Sequence, residues 1–236
     1  MKFLTIVIPC FNEEKSLPDL INNLESVDDR IQFLIIDNGS SDNSKNYLKK
    51  VENKLQENIK IFFKKENTGY GSGVYEGLLK AQPSTFTGWI HGDLQFEFEK
   101  LNTLYDKLNS SDFNSINIFY KGLRINRSKL EAFISYCMGL IASIIINQKF
   151  YEINAQPTVF SSNLLERAIH PPVDFSFDTY IYWLALTNNF KIVREKYSFP
   201  PRVYGSSKWN FGIMSRLKFS KNLIKYFFYL RKVMPS

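Results

Sequence analysis

Three polar clusters follow apolar runs within the first hundred residues, and each contains a carboxylate. Asn12-Glu13-Glu14 follows FLTIVIP, Asp37-Asn38-Gly39-Ser40-Ser41-Asp42 follows IQFLII, and His91-Gly92-Asp93-Leu94-Gln95 follows a run that reaches Trp89. Acidic loops of this kind repel bare phosphate unless a metal intervenes. A fourth cluster, Asn67-Thr68-Gly69-Tyr70-Gly71-Ser72-Gly73, places a glycine at every second position. A dinucleotide fingerprint belongs after the first strand of an α/β unit, whereas this loop follows the third, and no Walker A sequence is present. Basic side chains gather farther along, as Lys121, Arg124 and Arg127 in KGLRINR and as Arg202 and Lys208 in RVYGSSK. The donor fork of arginine suits phosphate, and a solvated basic turn is the plainer reading of the first group.

The elements that must position these residues alternate in type. Phe3 to Pro9 is a short run rich in β-branched residues, and Leu17, Leu20, Ile21 and Leu24 then recur at helical spacing, with Ser16 as N-cap and Pro18 in the first turn. Ile31 to Ile36 reads as the second strand, and Tyr47, Leu48, Val51 and Leu55 share a helix face. Ile59 to Phe63 reads as a third strand, Gly73 to Ala81 as a third helix, Trp89 to His91 as the end of a fourth strand and Ser115 to Tyr120 as a fifth. Strands alternating with crossover helices predict a mostly parallel sheet covered on both faces. Ligands of such sheets bind beyond the carboxyl ends of the strands, where all three acidic clusters fall.

A length of 236 residues suits one large domain or a domain with a short appendage, here 1–210 and 211–236. The hydrophobic share of 44% can bury a sizeable core, and the 16% of aromatic residues points to a surface that touches rings or lipid. Cys10 and Cys137 are too few for a disulfide framework, so a reducing compartment is the default. Met1 leads straight into an apolar run, so no secretory leader is expected. The net charge of +7 belongs to the tail: nine of the 30 bases follow Glu195 and no acid does, leaving 21 bases against 23 acids before that point. Such a tail suits a pyrophosphate, an anionic membrane or a nucleic acid. Ile213, Leu217, Ile224 and Phe227 fall on one face of it, with Lys218, Lys221, Lys225 and Lys232 opposite, the pattern of a basic amphipathic helix for a membrane surface. Ala132 to Ile146 is an almost unbroken apolar run, shorter than the ~20 residues of a transmembrane helix, and suits a core or an interfacial helix.

TIVIPCFNEEKSL, IIDNGSSDNS, NTGYGSGVYEGL and HGDLQ, in this order, resemble family 2 glycosyltransferases, nearest to the dolichyl-phosphate mannosyltransferase and polyprenyl-phosphate glycosyltransferase branch. The resemblance implies the GT-A fold, a Rossmann-like α/β domain that binds a nucleoside-diphosphate sugar. It places Pro9, Phe11, Asn12, Glu13 and Asp37 at the nucleoside, and Asn67, Gly69 and Gly71 where backbone approaches the nucleotide-sugar. It gives Asp93 and Gln95 to a divalent metal on the diphosphate, Mg2+ or Mn2+, with His91 standing where the family carries an acid. Magnesium prefers oxygen ligands and manganese tolerates imidazole, so His91 shifts the metal preference or contacts phosphate without metal. Lys121, Arg124, Arg127, Asn154 and Gln156 fall to acceptor or phosphate, and Arg202 and Lys208 to a mobile loop closing over the diphosphate.

The reaction so implied is an inverting displacement at the anomeric carbon. The Glu-Asp pair and Gln-x-x-Arg-Trp motif of many hydroxyl-acceptor relatives are absent, which favours a lipid-phosphate acceptor, and Asp178 is the candidate base otherwise. A cytoplasmic protein held peripherally on the inner face of a membrane is expected, with no nucleic acid as partner. A nucleic-acid-binding module, a sugar nucleotidyltransferase and a catalytically silent relative are the rival readings. The first explains the tail but not the acidic loops.

Overall fold

The computed structural model describes residues 2–110, 117–204 and 213–233, with 213–219 as backbone alone. Seven strands form one sheet: β1 (Lys2–Cys10), β2 (Ile31–Asp37), β3 (Ile59–Phe63), β4 (Ser84–Trp89), β5 (Ile118–Ile125), β6 (Thr158–Ser161) and β7 (Lys191–Ser198). Their spatial order is β3-β2-β1-β4-β6-β5-β7. β1 runs parallel to β2 and β4, with Ile6 opposite Phe33 and Gly88, and β5 runs parallel to β7. β6 alone is reversed, antiparallel to both β4 and β5. The residues entering β6 therefore meet the same rim that the other strands reach at their ends.

Among the described residues seven α-helices cover the sheet: α1 (Leu17–Glu25), α2 (Ser44–Val51), α3 (Tyr70–Lys80), α4 (Lys100–Leu108), α5 (Lys129–Ile146), α6 (Phe177–Thr187) and α7 (Ile213–Val233). The period-2 alternation of strand side chains separates two cores. Leu4, Ile6, Ile8 and Cys10 of β1 face α1, α2 and α4, whereas Val7 faces α3, α5, α6 and α7. The predicted α/β sheet with helices on both faces is what forms.

Several local expectations shift. Ser16 precedes α1, but its hydroxyl donates to Glu13 Oε2 (2.9 Å) rather than capping the helix. α3 starts at Tyr70, three residues before the sequence predicts, because its glycines are used for close packing and tertiary contact overrides their weak helix propensity. Lys121 to Ile125 prolong β5 instead of forming a turn. Of the strand predicted from Ser115, residues 115 and 116 lie outside the described residues. α5 is capped by Ser128, whose Oγ accepts from the Glu131 amide (3.3 Å).

The tail is a helix, as its periodicity predicts; the side chains of Ile213 and Leu217 lie outside the described residues, Phe228, Tyr229 and Val233 are exposed, and other apolar side chains turn inward. Leu223, Phe227 and Leu230 are buried in the second core, roughly 1.5–3 kcal/mol of burial each. Lys221, Lys225 and Lys232 face solvent. The apolar face available to a partner belongs to α5, where Leu130, Phe133, Tyr136, Leu140 and Ile144 are exposed at helical spacing. Both ends of α5 are held down: Arg124 and Arg127 bond Ser135, and the Ser143 hydroxyl accepts from the Phe150 amide (2.9 Å). Its length and composition match a membrane span, yet these ties lay it along the domain.

Candidate active site

The loops after β1 and β2 are stitched together by Asn12, a non-glycine residue at φ 57°. Its Oδ1 accepts from the Ser41 amide (2.8 Å), and its own amide donates to Ser40 Oγ (3.0 Å). The Glu13 amide donates to Ser44 Oγ (2.9 Å), so the PCFNEE loop is seated before any ligand arrives. Ser40 and Ser41 thus hold this loop instead of capping α2, whose N-cap is Asn43. Pro9 ends the apolar part of β1 opposite Ile36, and Phe11 stands at the rim, half-buried.

Asp37 closes β2 and is fully buried. Its Oδ1 accepts from the Ser40 amide (3.2 Å), while its Oδ2 has no partner among the described residues. The neighbouring Asn38 Oδ1 is likewise buried without a partner, its Nδ2 donating to Asn67 Oδ1 (3.3 Å) and the Gly69 carbonyl (3.0 Å). A buried acceptor left open costs about 1–3 kcal/mol, so two of them side by side mark a place built for a donor from outside.

The glycines of the NTGYGSG segment serve the protein's own backbone. A Cβ on Gly69, which sits at φ +110°, would meet the Val173 carbonyl at 2.3 Å, and one on Gly71 would meet the Pro172 carbonyl at 2.4 Å. Lys64, at the end of β3, was not foreseen. Nearly buried, it donates to Thr68 Oγ1 (2.8 Å) and Ser72 Oγ (3.0 Å) and pairs with Glu76 (3.1 Å), bracing the same segment.

Beyond β4 the chain presents His91, Asp93 and Gln95. His91 Nδ1 stands 3.8 Å from Asp93 Oδ2, and Arg202 Nη2 donates to that same oxygen at 2.8 Å. Arg202 also reaches Gln95 Oε1 (3.3 Å), while Gln95 Nε2 donates to the Pro200 carbonyl (2.8 Å). Burial pushes the Asp93 carboxyl up, but His91, Arg202 and the Gln95 amide outweigh it and hold the group below the usual carboxylate range. No cluster of three metal-type side chains occurs among the described residues. The donors a divalent cation would find here are Asp93, His91 and the Gln95 carbonyl.

Beneath His91 lies a buried polar network. Tyr70 Oη is 2.9 Å from His91 Nε2 and accepts from Trp89 Nε1 at 2.9 Å. Asp178, 2% exposed in the first turn of α6, turns inward to this network instead of capping its helix. Burial raises its pKa, opposed by Lys121, His91 and Arg124. Lys121 is fully buried and donates to Thr158 Oγ1 (2.8 Å), and burial lowers its pKa to about 7, with Asp178 opposing.

The remaining basic residues expected at an acceptor sit on one carboxylate. Arg124 Nε donates to Glu152 (2.8 Å) and Arg127 bonds the other oxygen of Glu152, two cations on a single buried acid. Arg127 Nε is buried without a partner. Gln156 is buried just before β6, where its Oε1 accepts from the His91 amide, and Asn154 is half-buried nearby in sequence. Lys208 lies outside the described residues. The rim thus brings together His91, Asp93, Gln95, Gln156 and Arg202, with Asp37 at the end of β2, while Arg124 and Arg127 pair with Glu152 and Arg124 also acts electrostatically on Asp178 and Lys121.

Residues 5–170 match the model of the family described as "Glycosyl transferase family 2". Over 86 residues, 35% of the chain and 26% of the relative, it is 29% identical to the undecaprenyl-phosphate 4-deoxy-4-formamido-L-arabinose transferase of Pseudomonas syringae pv. syringae. Matches to curated relatives span between 26% and 64% of those proteins' lengths. Among solved structures, S. aureus TarS 1-349 in complex with UDP-GlcNAc superposes with a TM-score of 0.63 at 18% identity, over 95% of this chain and 66% of that one. The glucosyl-3-phosphoglycerate synthase of Mycobacterium tuberculosis, in complex with Mn2+, UDP and phosphoglyceric acid, gives 0.69 at 14% identity, over 100% and 80%. The shared sheet is the GT-A fold. With its family motifs gathered on one rim of that sheet, the chain belongs to glycosyl transferase family 2.

Proposed function

We propose that this glycosyltransferase moves a sugar from a UDP-sugar to a lipid phosphate at a membrane surface, inverting the anomeric carbon. The observation that carries the donor half is the buried, unpartnered Asp37 Oδ2 at the end of β2, an acceptor in need of a ring N–H. The complexes of the two superposed structures, one with UDP-GlcNAc and one with UDP, support uridine as that ring. The relative acting on undecaprenyl phosphate supports the acceptor class.

In this reading Phe11 packs on the base, Asp37 orients it, and the diphosphate lies over Asp93. Asp93, His91 and Gln95 would hold a divalent cation, and a nitrogen donor among them would favour Mn2+ over Mg2+. Such an ion supplies neutralisation of the leaving diphosphate. Arg202, now on Asp93, has phosphoryl oxygens as its second set of acceptors, and Lys208 is proposed to join it. As the acceptor oxygen bonds the anomeric carbon, the bond from that carbon to the diphosphate oxygen breaks and UDP departs with the electron pair. A phosphate acceptor is already anionic and needs no base. Asp178 would serve a hydroxyl acceptor, and its burial under Tyr70 favours the phosphate. Arg124 and Arg127, with one counter-carboxylate between them, keep excess positive charge for that phosphate.

The 1–210 and 211–236 units act together in this scheme, with α5 as the face laid on lipid. Between Glu131 and Lys149 the chain has no charged residue, and Arg231 of α7 lies alongside, donating to the Ile145 carbonyl (3.3 Å). Incubation with a panel of UDP-sugars, Mn2+ and undecaprenyl phosphate in anionic vesicles should release UDP and form a glycolipid. Release that depends equally on GDP-sugars, or that ignores the lipid, contradicts the donor or acceptor half respectively. Phe133→Glu with Ile144→Glu should abolish sedimentation with those vesicles; unaltered sedimentation contradicts the α5 assignment.

A further inference from the structure

Beyond β7 the chain runs across the rim as a strap, residues 199–204, from the outermost strand of the sheet to α1. Three ties fix its path. The Phe199 amide donates to the Ile125 carbonyl (3.1 Å), and the Pro200 carbonyl accepts from Gln95 Nε2 (2.8 Å). At the other end the Tyr204 hydroxyl donates to Asp19 Oδ2 (2.8 Å) in the first turn of α1. Between these ties Arg202 donates from Nη2 to Asp93 Oδ2 (2.8 Å) and from Nε to Gln95 Oε1 (3.3 Å). Those are two of the donors that a divalent cation would use, and one guanidinium holds both. A second cation on the same oxygens would meet like-charge repulsion at close range. Asp93, 6% exposed, needs one of the two, because a buried carboxylate stripped of its partner is costly.

We infer that Arg202 is an internal occupant of the cation site, and that the Tyr204–Asp19 bond is the latch that keeps it there. The inference rests on the metal part of the proposed function and adds a regulation to it. Arg202 gives up Asp93 at low cost only where another anion receives it, and the donor's diphosphate is such an anion. One side chain therefore opposes a bare cation and supports a cation that arrives with nucleotide. Gln95 holds Pro200 through its nitrogen and Arg202 through its oxygen, so release of the oxygen leaves the near end of the strap tied. The movement of Arg202 then falls on the stretch up to Tyr204. Tyr204 acts through Arg202 and is a positioning residue.

Electron paramagnetic resonance reads Mn2+ binding without turnover, in the wild-type protein, Arg202→Ala and Tyr204→Phe. Without nucleotide, Arg202→Ala should bind Mn2+ about 5- to 150-fold more tightly than the wild type, the usual span of a coupling between sites. With UDP present the order should reverse, since the variant has lost its hold on the diphosphate. Tighter binding in both conditions makes Arg202 a fixed positive charge, and no gain without UDP means that it does not compete for Asp93. Either result overturns the inference. Tyr204→Phe keeps every charge and removes only the latch. It should tighten Mn2+ binding without UDP when Arg202 is present and change nothing in the Arg202→Ala background. The same effect in both backgrounds, or none in either, overturns the latch. A wild-type protein that fails to bind Mn2+ even with UDP defeats the metal reading instead. Hydrogen exchange of the 199–204 amides in metal-free protein then decides the latch: Tyr204→Phe should speed it, and unchanged exchange overturns it.

Discussion

Lys121 gives the most exacting test of the buried network. It is fully buried, and its pKa falls from 10.5 to about 7 through burial. That drop weighs against the charged form by about 5 kcal/mol. The sign follows from proton counting. Below pH about 7 the lysine is charged in both the folded and unfolded chains, and the full penalty is present. From about 7 to about 10 the folded chain sheds the proton while the unfolded chain keeps it, so stability rises with pH. Between pH 7 and 9 this one group should add about 2 kcal/mol to the unfolding free energy, from a limiting slope of about 1.4 kcal/mol per pH unit. Lys121→Met removes the titration and nearly preserves the volume. Urea unfolding of both proteins at half-unit steps should give curves that diverge by that amount as pH increases. The whole variant curve is also expected lower, because Asp178 loses its principal cation. Parallel wild-type and variant curves would refute the claim that burial lowers the Lys121 pKa to about 7. The window closes near pH 10, where phenols such as Tyr197, raised by burial, begin to act in the opposite sense.

Asp37→Asn replaces an acceptor oxygen with a donor nitrogen, and calorimetric titration with UDP should show about 1.5–3 kcal/mol of lost affinity, the range of a hydrogen bond to a charged group. The same variant should melt no lower than the wild type, since it relieves an unpartnered buried charge; a large loss of stability would give Asp37 a purely structural part. Asp93 is held below the usual range by its partners, so its contribution is complete above pH about 4 and is lost as pH falls through its folded pKa. The stability difference between wild type and Asp93→Asn should therefore shrink as pH falls below about 4, and a constant difference would contradict the pairing with Arg202. Gly71→Ala drives a methyl into the Pro172 carbonyl and should cost about 1–3 kcal/mol in thermal unfolding.

The rim was legible because parallel sheets expose the carboxyl ends of their strands, and polar residues directly after apolar runs have nowhere else to go. Asp37, His91 and Asp93 were found in this way, and they do lie on one edge. Pairing partners distant in sequence were not legible. Lys121 reads as part of a basic turn, yet continuation of β5 beside β6 and β7 carries it inside. Nothing near Arg124 and Arg127 announces Glu152, which meets them only after α5 has gone out and returned. Nothing around Tyr70 in the sequence announces its partners, and its hydroxyl meets Trp89 and His91 only when β4 and the loop after it arrive. The tail's periodicity predicts a helix, which forms, but one-dimensional spacing does not say which of its apolar side chains meet the protein's own core.

The reversed strand β6 has a practical consequence. The chain departs from the sheet after Ile125 and comes back beside the same strand at Thr158, so everything between is an excursion with neighbouring endpoints. Among the described residues the hydrogen bond from the His91 amide to Gln156 is what joins that excursion to β1–β4 and the loops after them. Exchanging residues 126–155 between homologues ought therefore to transplant the anchoring habit of one enzyme onto the donor preference of another.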